Sequence, residues 1–260
     1  MLMTMLSEDA ARTGPDELAQ RAGDYREQGY AVVRQVCDAA ACAKLIDLFE
    51  STVKPYQRPL HRFQSHQPEP HLLDARGRVI NPLLGVHRLG GELEGFGAAC
   101  RALMNAPPLV VMAEALLQAQ SGVAESFYFE VSRGTEAHQD LAYLPGVSKM
   151  VGAWVALEPV DAGSGAFYVY AGSHRATKVA GFGAAQRGPD PSREYLAEAL
   201  QAVTAHGYER QVLRLETGDV VFFDGAVVHG SLPSGAPERT RHSLTFHRVP
   251  LDALEYLPRR

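Results

Sequence analysis

Ser126 to Ser132 reads SFYFEVS, and further runs of the same character follow it: MVGAWVALEPV (150–160), GAFYVYAG (165–172), RQVLRL (210–215), DVVFFDG (219–225), AVVHGS (226–231) and RHSLTFHRV (241–249). Each is short and rich in β-branched and aromatic residues, with Gly, Pro, Asp and Ser in the gaps. Short strands punctuated in this way predict an all-β sandwich or barrel. One helical insert, Pro191 to Ala205, interrupts them. Upstream the periodicity is mainly helical. Pro15 opens a helix through Glu27 that Gly29 ends, and Tyr30 to Val36 reads as a lone strand. Asp38 is a plausible N-cap for a helix with Ala41, Leu45, Leu48 and Phe49 on one face. Helical patterns return over Glu92–Met104 and Pro108–Ala119. The expected architecture is mostly β with α: a loose tail over 1–14, then one domain over 15–260. Its helical part covers 15–120 and its β core about 124–250.

The 260 residues are 46% hydrophobic and 21% charged, enough apolar material for a sizeable core. Lys plus Arg number 25 and Asp plus Glu 30, so the net charge is 25 − 30 = −5. A mildly acidic chain is not built for sequence-independent nucleic-acid binding. No stretch approaches the roughly 20 apolar residues that span a bilayer. Met1–Leu6 lacks a basic leader and runs into Glu8 and Asp9, so neither a signal peptide nor a membrane partner is expected. Cys37, Cys42 and Cys100 are odd in number and scattered, which argues against a disulfide framework or a structural zinc site. They read as small buried hydrophobes, and a reducing cytoplasm is the expected location.

The chemistry begins at His138-Gln139-Asp140. In extended chain, residues i and i+2 face the same way, so the imidazole and the carboxylate can aim at one point. His229 stands in another β run, 229 − 138 = 91 residues later. Two His and one carboxylate occupy one face of an octahedral metal and leave three positions open, as in non-haem Fe(II) oxygenases. Taken alone, HxD is a weak signal, because a buried His bonded to a nearby Asp is commonplace. Arg241 strengthens it, 241 − 229 = 12 residues after His229 and at the start of the last β run. Its fork suits the far carboxylate of a dicarboxylate whose 2-oxo acid end chelates the metal. Ser231 could add a hydroxyl. Arg239 is the rival, set in the polar loop SGAPERT.

HQDLAYLP (138–145), SGAFYVYAGSHR (164–175), TGDVVFFDGAVVHGS (217–231) and RHSLTFH (241–247) together resemble the phytanoyl-CoA dioxygenase family, in order, over roughly Phe127 to Val249. The resemblance implies a double-stranded β-helix of the jelly-roll or cupin kind. It also implies an Fe(II)- and 2-oxoglutarate-dependent oxygenase that uses O₂, with His138, Asp140 and His229 as iron ligands. By the same resemblance Arg241 and Ser231 grip 2-oxoglutarate, while Trp154 and Phe127 line its pocket. Two departures stand out: Ala171 replaces the proline usual before Gly-Ser-His, and Ser234 lies where an asparagine is often found. Neither is a proposed ligand, but both argue against transferring a substrate.

The implied reaction hydroxylates an aliphatic C–H of a small molecule and releases succinate and CO₂. The candidate substrates are a natural-product intermediate, an amino-acid derivative or an acyl thioester. Asp140 disfavours halogenation, which needs that metal position vacant. A non-catalytic metal-binding cupin-type protein that binds a small molecule is the alternative from another class. A zinc-dependent isomerase or hydrolase of the cupin type is a third. Tyr128, Tyr143 and Tyr168 lie near the motifs and are candidates either for the substrate pocket or for packing. His174, His242 and His247 read as structural histidines, and Gly165, Gly172, Gly218 and Gly230 as turn formers. Residues 56–91 are long, aperiodic and rich in His and Arg, including Arg62 and His66. They are a candidate lid, or else a solvated loop.

Overall fold

A computed structural model describes residues 14–144, 146–175, 191–236, 238–255 and 257; the rest of the expected N-terminal tail, residues 1–13, lies outside them. Helix α1 (Pro15–Gln28) starts on Pro15 and stops at Gly29, whose left-handed φ of 80° lets its N–H reach the Tyr25 carbonyl. Strand β1 (Tyr30–Val33) follows, then α2 (Ala39–Leu48), whose N-cap Asp38 accepts from the Ala40 N–H. The short strands β2 (Leu60–His61), β3 (Pro68–Glu69) and β4 (Leu83–Leu84) lie in the stretch expected to be irregular. Helices α3 (Glu94–Met104) and α4 (Pro107–Leu117) complete the helical part.

The β core consists of β5 (Ser121–Phe129), β6 (Arg133–His138), β7 (Val151–Ala156), β8 (Phe167–Tyr170), β9 (Arg210–Val212), β10 (Val220–Asp224), β11 (His229–Pro233) and β12 (Ser243–Pro250). Helix α5 (Pro191–Ala205) is the expected insert, and α6 (Leu251–Leu254) ends the order. Six strands form a major sheet in the order β1-β10-β7-β12-β5-β4, and four form a minor sheet, β6-β11-β8-β9. All pairings in both are antiparallel. The double-stranded β-helix is thus two facing sheets, and the expectation of a barrel is corrected: the described strands do not close into one.

Period-2 alternation sorts the side chains into three layers. Between the sheets lie Trp154, Phe167, Val221 and Phe223. On the outer face of the major sheet, Tyr128, Ala153, Phe222, Leu244 and Phe246 pack against Phe49, Phe96, Leu109 and Met112 of the helical part. On the outer face of the minor sheet, Ala137, Tyr168 and Val228 pack against Ala199 and Val203 of α5. Every residue of β7 is buried, as expected of a strand covered on both faces. The three cysteines are free and buried, and burial pushes the Cys42 thiol up to about 12. Among the described residues no single helix is long and apolar enough to cross a membrane.

Candidate active site between the sheets

Strand pairing solves the 91-residue gap between the histidines. His229 on β11 stands directly across from His138 on β6, and the register shifts between His229 and Ser231. Such irregularities re-aim side chains. His138 ends its strand, and Gln139 stays extended (φ −119°, ψ 121°), so Asp140 returns to the face of His138 although it already begins a short 3₁₀ turn. Gly230 is not the turn residue expected. A Cβ there would lie 2.4 Å from the Thr135 carbonyl oxygen and from the Tyr168 hydroxyl, so only glycine lets β11 pass between its neighbours. Gly165, Gly172 and Gly218 do take positive φ.

His138 Nε2 lies 3.1 Å from Asp140 Oδ1, and His229 Nε2 lies 3.4 Å from Oδ2. Nδ1 of His138 contacts the Glu136 carbonyl at 2.7 Å, and Nδ1 of His229 the Val227 carbonyl at 3.0 Å. A carbonyl only accepts, so both Nδ1 atoms carry a proton, and it is Nε2 of each ring that faces the carboxylate. One donor atom from each residue lies within 4.8 Å of the others, and all three residues are buried. Burial alone would raise Asp140, but the surrounding imidazoles outweigh it and hold the carboxyl well below the usual carboxylate range. Two imidazole Nε2 atoms and one carboxylate on one side of a cavity are a donor set that fits a divalent metal with open positions.

Arg241 enters the same cavity from just before β12. It is 1% exposed, and burial lowers it to about 9, so it remains a cation at neutral pH. Its guanidinium lies 4.9 Å from the Phe129 ring and 5.4 Å from Trp154. One nitrogen donates to the Gly165 carbonyl at 3.3 Å, while Nε is buried without a partner. Among the described residues no carboxylate pairs with it. A buried cation lacking a counter-ion is an anion site by its chemistry. Ser231, bonded to Thr135 Oγ1 at 3.1 Å, lines this inner cavity of about 50 Å³ together with Trp154, Phe127 and Thr245. The rival Arg239 pairs with Asp161 at 2.6 Å on the surface.

A larger outer chamber, about 350 Å³, adjoins His138 and Asp140 and is lined by Phe63, His66, Glu125, Phe129, Tyr143 and Leu196 among others. Of the candidate substrate contacts, Tyr143 and His66 line this chamber. His66 sits at φ 56°, a left-handed position rare for a residue other than glycine and often found at functional sites.

Three expectations are corrected. Tyr128 points to the far side of the major sheet, stacked on Phe49 (4.6 Å) with its hydroxyl 2.8 Å from His242 Nδ1. Tyr168 points out of the minor sheet and bonds the Thr135 carbonyl at 3.1 Å. Each is one residue from a neighbour that faces inward, Phe127 and Phe167, and one step along a strand reverses the face. Arg62 is fully buried and binds backbone: its guanidinium donates to the Glu69 carbonyl (3.0 and 3.1 Å) and the Asn81 carbonyl (3.1 Å). It stitches the 56–91 stretch together instead of meeting a ligand, and β4 joins that stretch to β5.

Sequence reasoning missed His247. Read as structural, it instead places Nε2 2.9 Å from Asp140 Oδ2, with Glu125 3.7 Å behind its other nitrogen. Asp140 and Glu125 outweigh burial and push its pKa up to about 10. The missed signal was parity: Arg241, Thr245 and His247 differ by even numbers, and all three line the inner cavity.

The family model described as phytanoyl-CoA dioxygenase (PhyH) matches residues 25–242. Solved structures of similar fold include the epimerase SnoN in complex with Fe³⁺, α-ketoglutarate and nogalamycin RO, at 21% identity, covering 95% of this chain and 92% of that one, with a TM-score of 0.67. The α-ketoglutarate-dependent carbocyclase SnoK from nogalamycin biosynthesis is 20% identical over 93% of this chain and 85% of its own, with a TM-score of 0.66. EctD from S. alaskensis with 2-oxoglutarate and 5-hydroxyectoine is 18% identical over 90% and 77%, with a TM-score of 0.65. At these identities the likeness is one of fold. No curated protein sequence matches the chain.

Proposed function

This chain belongs to the phytanoyl-CoA dioxygenase family, and on that footing we propose that it is an Fe(II)- and 2-oxoglutarate-dependent dioxygenase. Its substrate is a small molecule hydroxylated at an aliphatic C–H. Natural-product intermediates, amino-acid derivatives and acyl thioesters are the classes to screen. The observation that carries the reading is Arg241: a buried cation without a carboxylate partner, in the same cavity as two histidines and an aspartate of ligand geometry. A metal-storage protein has no use for it.

His138, Asp140 and His229 would hold the iron through Nε2, a carboxylate oxygen and Nε2. The iron would supply activation of O₂, the oxidant, one of whose oxygen atoms would enter succinate as 2-oxoglutarate loses CO₂ and the other the hydroxylated product. Arg241 and Ser231 bind and orient the far carboxylate of 2-oxoglutarate. Trp154, Phe127 and Phe167 wall the cavity, exclude water and strengthen that charge pairing. The outer chamber, with Tyr143 and His66, orients the substrate. The neighbours named above include an epimerase and a carbocyclase, so the fold serves several outcomes and the substrate pose selects among them.

The test is succinate formation from 2-oxoglutarate with Fe(II) and O₂, alone and with candidate substrates. His138→Ala, Asp140→Ala and His229→Ala should each bring it to background and weaken Fe(II) binding, with circular dichroism unchanged. Near wild-type turnover in any one of them refutes the assignment.

A further inference from the structure

Gln139 lies between two proposed iron ligands and is itself buried. Both polar groups of its backbone meet one hydroxyl: its N–H donates to Tyr195 Oη at 2.6 Å, and Tyr195 O–H donates to its carbonyl at 2.6 Å. Its side-chain amide donates to the Ala226 carbonyl, in the segment leading to His229. The residue between the ligands is therefore held on three sides without touching a metal.

Tyr195 is fully buried and belongs to α5, outside both sheets. Around it the helix packs through Ala199 and Val203 on Ala137, next to His138. The Tyr195 ring also meets Tyr143 edge-on at 5.5 Å, and the next residue, Leu196, lines the outer chamber.

We propose that Tyr195 is a positioning residue for the iron site, its hydroxyl fixing the Gln139 backbone and thereby the aim of His138 and Asp140. The physical reason is the extended conformation of Gln139. The i and i+2 side chains converge only while φ and ψ of the intervening residue keep their values, and Asp140 already belongs to the next turn. Unlike a strand interior, this junction depends on a side chain to satisfy the Gln139 N–H. Without the hydroxyl, the buried N–H loses that acceptor while the carbonyl keeps the Ala142 N–H at 3.2 Å, and the chain regains bonding by rotating at Gln139. The proposal rests on the reading of His138 and Asp140 as iron ligands.

The test compares Tyr195→Phe, which removes one oxygen and keeps the ring, with Val203→Ala, which thins the packing of the same helix and leaves the hydroxyl alone. Both are measured anaerobically in the full chain beside Asp140→Ala, with Fe(II) and 2-oxoglutarate as the only probes. Removal of an outer-shell partner typically weakens metal affinity about 10–100-fold. Tyr195→Phe should fall in that range and shift or broaden the Fe(II)–2-oxoglutarate charge-transfer absorption. Val203→Ala should lower the melting temperature with iron affinity and absorption unchanged. Equal losses of iron affinity in the two variants would make the effect one of helix packing and overturn the proposal. Wild-type iron affinity and spectrum in Tyr195→Phe would overturn it too. If Asp140→Ala still binds iron like the wild type, the ligand assignment itself fails, a result distinct from the other two. Should Tyr195→Phe not fold, a backbone ester in place of the His138–Gln139 amide is the second variant. It deletes the N–H that meets the hydroxyl and keeps the Gln139 side chain without imposing a new φ, and it should weaken iron as Tyr195→Phe would; unchanged affinity overturns the proposal.

Discussion

Replacing Arg241 with leucine should move stability and co-substrate binding in opposite directions. The guanidinium is buried without a carboxylate partner, which costs several kcal/mol of desolvation. Offsetting that are two aromatic faces, together worth about 1–4 kcal/mol, and one charged hydrogen bond to the Gly165 carbonyl worth about 1.5–3 kcal/mol. The balance is near zero, so without 2-oxoglutarate Arg241→Leu should be as stable as the wild type or slightly more so. Binding is another matter. Losing one partner of a buried charge pair costs about 2–5 kcal/mol, or roughly 30-fold to several thousand-fold in 2-oxoglutarate affinity. The assay is an anaerobic thermal melt with Fe(II), with and without the dicarboxylate. At 100 times Kd a ligand adds about 2.7 kcal/mol, which for a chain of this size raises Tm by roughly 5–10 °C. Wild type and Arg239→Leu should show that rise, since Arg239 makes only a surface ion pair with Asp161. Arg241→Leu should not. A variant that melts early by itself yet keeps the full rise would refute the reasoning, and would make Arg241 a structural cation.

Two further outcomes follow from the geometry. Arg62→Ala should lower stability by about 2–4 kcal/mol, because it strands the Glu69 and Asn81 carbonyls and leaves a void under the 56–91 stretch. The readout is urea unfolding, and an unchanged midpoint with altered substrate coupling would restore the lid-contact reading. Burial, with Lys54 adding to it, lowers His242 to about 4. Its stabilising contribution is complete above the unfolded value of about 6.5 and is lost as pH falls toward about 4, because the unfolded chain takes up the proton first. His242→Asn should flatten that limb by up to about 3 kcal/mol. Equal pH slopes for wild type and variant in denaturant melts would count against a buried neutral imidazole.

Local chemistry made much of this protein legible from its sequence. Pro15, Gly29 and Asp38 mark helix boundaries through backbone constraints that need no tertiary partner. The seven β-rich runs coincide with β5 and β7 to β12, and Arg241 differs from Arg239 in beginning such a run rather than sitting in a polar loop. His138 and Asp140 share a face for the same local reason, an extended Gln139. Even the aperiodic 56–91 stretch stands apart by its His, Arg and Pro content, although nothing local marks it as a segment stitched by its own buried arginine.

What only the tertiary structure decided is which face of each strand looks inward. Helices cover the major sheet and α5 covers the minor one, so both faces of the central strands are apolar and hydrophobicity no longer alternates along them. Phe127 and Tyr128, or Phe167 and Tyr168, are then equivalent in sequence, yet one of each pair lines the cavity and the other packs outside. The pairing of β6 with β11, which sets His229 opposite His138, and the arrival of His247 and Tyr195 around Asp140 and Gln139 are likewise long-range. They depend on strand register and on where a helix docks, and neither is encoded by the residues adjacent in the chain.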